Sequence, residues 1–222
     1  MLKIFESCNS QIVSTVISAS KLYYLTLNHF LTGNRKSLKG LHDVVYGLSE
    51  QTKNLKNDSF KIITDWQGNT LESGLYYVRV LDAARETASS VLHTYLPICE
   101  YVKNNHTPFN EMQVTEFNEL NDEIALFFNM ILHILKNRKY ENPSEEIRKQ
   151  KTTILTLIDT LQRKQLKRVK RQEVSIRNSI LYLHILTESK NLALFAPNLV
   201  KANRKFYQTV SASLTQHSYP TT

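Results

Sequence analysis

Glycine is scarce in this chain of 222 residues: there are five, and none lies beyond Gly74. A glycine-rich phosphate loop of either common kind has nowhere to form. After Gly74 the only strong helix breaker is proline, and the whole chain has just five prolines. So few interruptions imply long helices. The two cysteines, Cys8 and Cys99, give no spaced framework and no metal-finger pair, and read as reduced thiols of a cytosolic protein. There is no HExxH and no GxSxG elbow. A hydrolase, kinase or dinucleotide enzyme would be hard to hide in such a sequence, and no enzyme is expected. No apolar run approaches the roughly 20 residues needed to cross a bilayer. The N-terminal MLKIFESCNSQ carries Glu6 and other polar residues where a signal peptide has its apolar core.

What is present is an ordinary core-forming composition, 41% hydrophobic and 22% charged, with a basic balance. The formal charge is +8 and the isoelectric point about 9.4. That excess attracts polyanions, whether nucleic acid or an anionic leaflet.

Apolar positions recur at helical spacing almost throughout. A first helix over about 3–32 carries Ile12, Val16, Ala19, Tyr23, Leu27 and Phe30, and Gly33-Asn34 stops it. A second spans about 36–64, weakened by Gly40 and Gly47. Residues 65–69 break it, and Thr70 is a plausible cap for a third helix over about 71–104, which Pro97 should kink. After the loop 104–110 a fourth helix covers about 111–139. Asn142-Pro143-Ser144, followed by Glu145 and Glu146, starts a fifth that reaches about Arg171. Ser175 caps a sixth over 176–207, with Pro197 inside it. The tail from 208 reads as disordered.

The expected fold is therefore all-α: a three-helix unit over 1–107, a second over 108–207, and a tail over 208–222. An internal repeat supports the division. TLESGLYYVRVLD (70–82) lies over SIRNSILYLHILT (175–187), pairing Tyr77 with Tyr182 and Leu81 with Leu186. Asn34-Arg35-Lys36 recurs as Asn137-Arg138-Lys139 at nearly the same offset. Such units, packed side by side, would share one continuous core.

Two polar patterns stand out. Asp82, Glu86, Ser89 and His93 form one stripe on the third helix. A stripe opposite the apolar face is the wet side of an amphipathic helix. The alternative is a metal site, since carboxylates at i and i+4 chelate hard divalent ions and a histidine shifts preference toward iron or zinc. His184 and Glu188, with Asn191, form a similar stripe on the sixth helix, but the repeat sets Thr187 and Asn191 against Asp82 and Glu86. No cofactor is fixed by these residues beyond a divalent or iron-type ion. The second pattern is the run RKQLKRVKR (163–171). Arg163, Lys167 and Lys170 share a face, with Lys164 and Arg171 beside them. It is either a solvated face near a helix C-terminus or a contact for anionic lipid headgroups. Nucleic acid is not expected, because no binding motif and no interleaved aromatics accompany the patch.

LYYVRVLDAARETASSV (75–91), ICEYVKNNH (98–106) and RVKRQEVSIRNSILYLHILTESKNL (168–192), in this order and spacing, resemble the PhoU-like regulatory domain at the C-terminal end of bacterial sodium/phosphate cotransporters. The resemblance extends over most of residues 10–205. It implies a non-enzymatic domain on the cytosolic side of the bacterial inner membrane that regulates phosphate uptake beside a membrane transporter. It also implies metal clusters held by E/D-x-x-x-D motifs. Asp82–Glu86 matches that motif loosely, and Thr187 and Asn191 stand at the second position. A homo-oligomer is left open. The chain is either free-standing or excised from a transporter, and a start directly on an amphipathic helix favours excision. The alternatives are a metal-binding helical protein and a helical scaffold for partner helices.

Overall fold

The structure is a computed structural model that describes residues 2–64, 71–138 and 143–216. These residues form seven helices and no strand: α1 (Leu2–Leu31), α2 (Arg35–Gly40), α3 (His42–Thr64), α4 (Leu71–Lys103), α5 (Glu111–Asn137), α6 (Pro143–Lys170) and α7 (Ile176–Gln216). The expected all-α bundle is the fold observed, with two corrections to its elements. The second expected helix is two, α2 and α3, joined at Leu41. Gly40 weakens the helix there. The carbonyl of Leu38 accepts both the Leu41 N–H and, at 3.3 Å, the Tyr95 hydroxyl from α4. The second correction is at the C-terminus: the tail expected to be disordered from 208 is helical as far as Gln216. Phe206 and Val210, both buried, hold it against the core. The expected break at 65–69, the Thr70 cap and the Asn142 start lie outside the described residues.

The observed caps follow the local chemistry. Asn110 and Gln113 bond each other's backbone N–H groups, a reciprocal capping box that starts α5. Ser175 accepts the Asn178 N–H at the start of α7. Four helices end on left-handed residues: α1 on Gly33, α4 on Asn105, α5 on Arg138 and α6 on Gln172.

α4 and α7 lie along each other at the centre. α1, α2 and α3 also pack on α4; α1, α5 and α6 also pack on α7; and α1 meets α5. One cluster of buried side chains runs through both halves. Its pattern recurs. At the spacing that lays Tyr77 over Tyr182, buried Ile12, Ala19, Tyr23 and Phe30 of α1 lie over buried Phe117, Ile124, Phe128 and Leu135 of α5. Val80, Leu81, Ala88 and Tyr101 of α4 lie over Ile185, Leu186, Ala193 and Phe206 of α7, and all eight are buried. Each large apolar side chain so buried contributes about 1.5–3 kcal/mol before chain entropy is charged against it. No helix among the described residues is long and apolar enough to cross a membrane.

Gln172 holds φ at 59°, a conformation that costs a side-chain-bearing residue roughly 1–2 kcal/mol relative to glycine. Gln172→Gly is therefore expected to raise unfolding stability by up to about 1 kcal/mol in urea titration. A loss of stability would mean that the Gln172 side chain makes a contact worth more than this strain.

Candidate functional site

Asp82 and Glu86 open into a groove between α4 and α7. It is lined by Tyr76, Arg79, Asp82 and Glu86 on one side and by Phe195, Asn198, Lys201 and Lys205 on the other. Glu86 is exposed and Asp82 half-buried, its carboxylate 2.5 Å from the Lys56 ammonium of α3. The two carboxylates thus lie among four cations: Lys56, Arg79, Lys201 and Lys205. A divalent ion at Asp82 would have to displace Lys56 and bind amid like charge. No group of three or more His, Cys, Asp or Glu side chains arranged to hold a metal occurs among the described residues.

The α7 stripe is not a wet face. Glu188 is only 7% exposed and accepts a hydrogen bond from Asn191 at 3.3 Å. His184 is half-buried, and its Nε2 lies 2.8 Å from the His93 carbonyl oxygen, so the ring donates there. The reason lies in α4. Pro97 has no N–H, so the carbonyl four residues earlier, that of His93, loses its partner within the helix. His184 reaches across from α7 and replaces it. His184 is a patch on a proline break, with its Nε2 committed to that bond.

The basic run divides differently from the expected face. Lys164, Lys167, Arg168 and Arg171, at i, i+3, i+4 and i+7, line a cleft between α6 and the start of α5 of about 450 Å³. Met112, Thr115, Glu116 and Glu173 complete the lining. Arg163 and Lys170 are exposed and do not line it. Arg168 sits inside the run but is buried, its side chain 8% exposed.

The cleft floor is a hydrogen-bonded cluster that the sequence did not announce. Arg168 donates from Nη2 to Glu116 Oε1 at 2.6 Å and from Nη1 to Gln165 Oε1 at 3.1 Å. The Tyr182 hydroxyl donates to Glu116 Oε2 at 2.6 Å, and Lys164 Nζ lies 3.4 Å from Glu116. Gln113 bonds both Gln165 and Asn178, and Gln165 continues to Ser179. The Arg168 guanidinium also stands 5.8 Å over the Tyr182 ring. Burial alone would raise the Glu116 pKa. The hydrogen bonds from Arg168 and Tyr182, with the charges of Arg168 and Lys164, outweigh it and hold the carboxyl below its usual range. Burial and the Glu116 carboxylate together push the Tyr182 phenol up. Two signals pointed toward this cluster: Glu116 falls on the apolar stripe of α5, and Arg168 falls on the apolar stripe of α6 between Leu161 and the helix end.

Neither thiol is shifted toward the thiolate. Burial pushes Cys8 up to about 12 and raises Cys99 as well.

The fold is shared with a solved protein. The structure superposes on the crystal structure of PhoU from Pseudomonas aeruginosa with a TM-score of 0.78. The match covers 94% of this chain and 100% of the other, at 8% sequence identity. At that identity the likeness is one of fold. No protein-family model matches the sequence, and no curated protein matches it.

Two outcomes follow from this geometry. Arg168→Met strands a buried carboxylate and is expected to cost roughly 3–5 kcal/mol, with much of that loss recovered when Glu116→Gln is added. Because the Glu116 pKa is lower folded than unfolded, its contribution is present above about pH 4.3 and is lost as pH falls through the folded value. Wild type should therefore lose more stability between about pH 5 and 3 than Glu116→Gln, as acid-unfolding curves would show. The second outcome concerns the proline break. His184→Leu should cost on the order of 1 kcal/mol in wild type and distinctly less in a Pro97→Ala background, where residue 97 regains its N–H. Equal costs in the two backgrounds would detach His184 from the break.

Proposed function

We propose that this chain is a non-enzymatic regulatory domain of sodium-dependent phosphate transport. It works by docking on a membrane transporter domain at the cytosolic face of a bacterial inner membrane. The observation that carries the reading is the whole-chain likeness to a PhoU structure, at a TM-score of 0.78 with all of that chain covered. The site chemistry is consistent with it. The described residues bring together buried structural hydrogen bonds and solvent-facing cations. Arg163, Lys164, Lys167, Lys170 and Arg171 are exposed in and beside the α5–α6 cleft, where an anionic leaflet would attract them. Metal is not needed for this reading, because Asp82 is already neutralised by Lys56.

The test is co-expression with the transmembrane domain of a bacterial sodium/phosphate cotransporter, followed by membrane fractionation and sodium-dependent phosphate uptake. The chain is expected to be retained on membranes only when the transporter is present, and to lower uptake severalfold when external phosphate is high. A chain that ignores the transporter and leaves uptake unchanged at every phosphate level would overturn the reading.

A further inference from the structure

The α5–α6 cleft differs from an ordinary solvated basic face in three respects. Its cations converge on a concavity. One of them is buried and fixed. Its carboxylates are already occupied.

Four cations line it, Lys164, Lys167, Arg168 and Arg171, against two carboxylates, Glu116 and Glu173. Glu116 takes both Arg168 at 2.6 Å and Tyr182 at 2.6 Å, and Glu173 lies 3.7 Å from Arg171. Lys164 is half-exposed, at 3.4 Å from a Glu116 oxygen that Arg168 already holds. Lys167 is exposed, and no ion pair to it is found among the described residues. Two positive charges are therefore left over, and both project over the same hollow.

The Arg168 side chain is held from below by Gln165 and Glu116 and lies over the Tyr182 ring. A guanidinium locked in one orientation loses little entropy when a ligand arrives, which is the usual cost of using arginine. Mobile ammonium groups above a fixed guanidinium suit a compact, multiply charged oxyanion better than a single carboxylate. A volume of about 450 Å³ fits a group of that size with its hydration.

We infer that the α5–α6 cleft binds a phosphate group, with Lys164 and Lys167 supplying the free charge and Arg168 the fixed floor. The group can arrive as free inorganic phosphate or on a phospholipid headgroup, since both present the same oxyanion. The inference gives the basic run of the proposed regulatory domain a defined ligand, and to that extent it rests on that reading. Occupancy would also be felt inside the fold. Arg168 and Glu116 link α6 to α5 and, through Tyr182, to α7, so charge added above the floor acts on all three helices.

The experiment uses the full chain at low ionic strength in a non-phosphate buffer, with amide and side-chain NMR following Lys164, Lys167 and Arg168. Inorganic phosphate is titrated in one arm. In the other arm, vesicles of phosphatidylglycerol and phosphatidylcholine are compared with vesicles of phosphatidylcholine alone. Saturable shifts confined to the cleft on adding phosphate support the free ion as the source. Cleft-specific binding to the anionic vesicles alone supports the headgroup as the source. In either case Lys164→Gln and Lys167→Gln should each weaken binding by roughly fivefold, and Arg163→Gln and Lys170→Gln should change it less than twofold. All four variants sit on an exposed helix face, so folding is not at stake. No saturable binding in either arm overturns the inference, as does equal weakening by all four variants, which would mean a diffuse basic face. Neither result bears on transporter association, which is read separately by membrane fractionation and uptake.

Discussion

Glu116 is a carboxylate removed from water, and the second half of the molecule is arranged so that it can stay there. An isolated buried carboxylate would take up a proton or pull its helix outward. Here Arg168 from α6 and Tyr182 from α7 each place a donor 2.6 Å from one of its oxygens. Those two bonds fix the relative rotation of α5, α6 and α7, because a small slide of any helix breaks one of them. Gln113, Gln165, Asn178 and Ser179 extend the same constraint along the seam. A buried ion pair of this kind adds little net stability over an apolar substitute, but it penalises every mispacked arrangement heavily. Its contribution is to the register of the helices, and the cleft above it inherits that precision.

Charge is distributed so that the two carboxylate stations differ in kind. Asp82 and Glu86 lie in a groove already crowded with cations, one of them Lys56 at 2.5 Å. Glu116 lies beneath cations that it does not exhaust. At the first station Asp82 is half-buried and paired with Lys56, and Glu86 is exposed. The second leaves positive charge facing solvent. With a formal charge of +8 to place, the molecule does not spread it evenly, and the α5–α6 end is one place where it is left open to a counter-ion.

Much of the fold was legible because it depends on period alone. The stripe Ile12, Val16, Ala19, Tyr23, Leu27 and Phe30 is buried as its spacing requires, and the turn at Gly33 and the cap at Ser175 follow from residue type. The join between α2 and α3 was less legible. Gly40 signalled weakness, but the Tyr95 hydroxyl that reaches the Leu38 carbonyl comes from 57 residues away. The end of α7 was misjudged because polar residues beyond 207 hide Val210, which finds its pocket only once α7 is packed. The candidate sites were least legible. His184 looks like a ligand until Pro97 is set opposite it, and Arg168 looks like one more cation in a basic run. Their hydrogen-bond partners come from cross-helix geometry, which a periodicity argument does not contain. The run itself was seen, with Arg163, Lys167 and Lys170 on one face and Lys164 and Arg171 beside them; that Lys164, Lys167, Arg168 and Arg171 line a cleft follows only from the packing of α5.

The recurrence of burial between the halves makes the polar cluster more informative. At the spacing that matches α1 with α5 and α4 with α7, Cys8, Gln11, Ser73 and Tyr77 stand where the second half has Gln113, Glu116, Asn178 and Tyr182. Cys8 and Tyr77 are buried, and burial raises the pKa of both, with Cys8 and the Asp58 carboxylate adding to the rise at Tyr77. The buried Ser73 hydroxyl has no hydrogen-bond partner among the described residues. The same backbone positions therefore hold a carboxylate and two amides in the second half where the first has an amide, a thiol and a hydroxyl, with a buried tyrosine in both. An anion at the α5–α6 end would sit on a network that joins α5, α6 and α7 through Glu116.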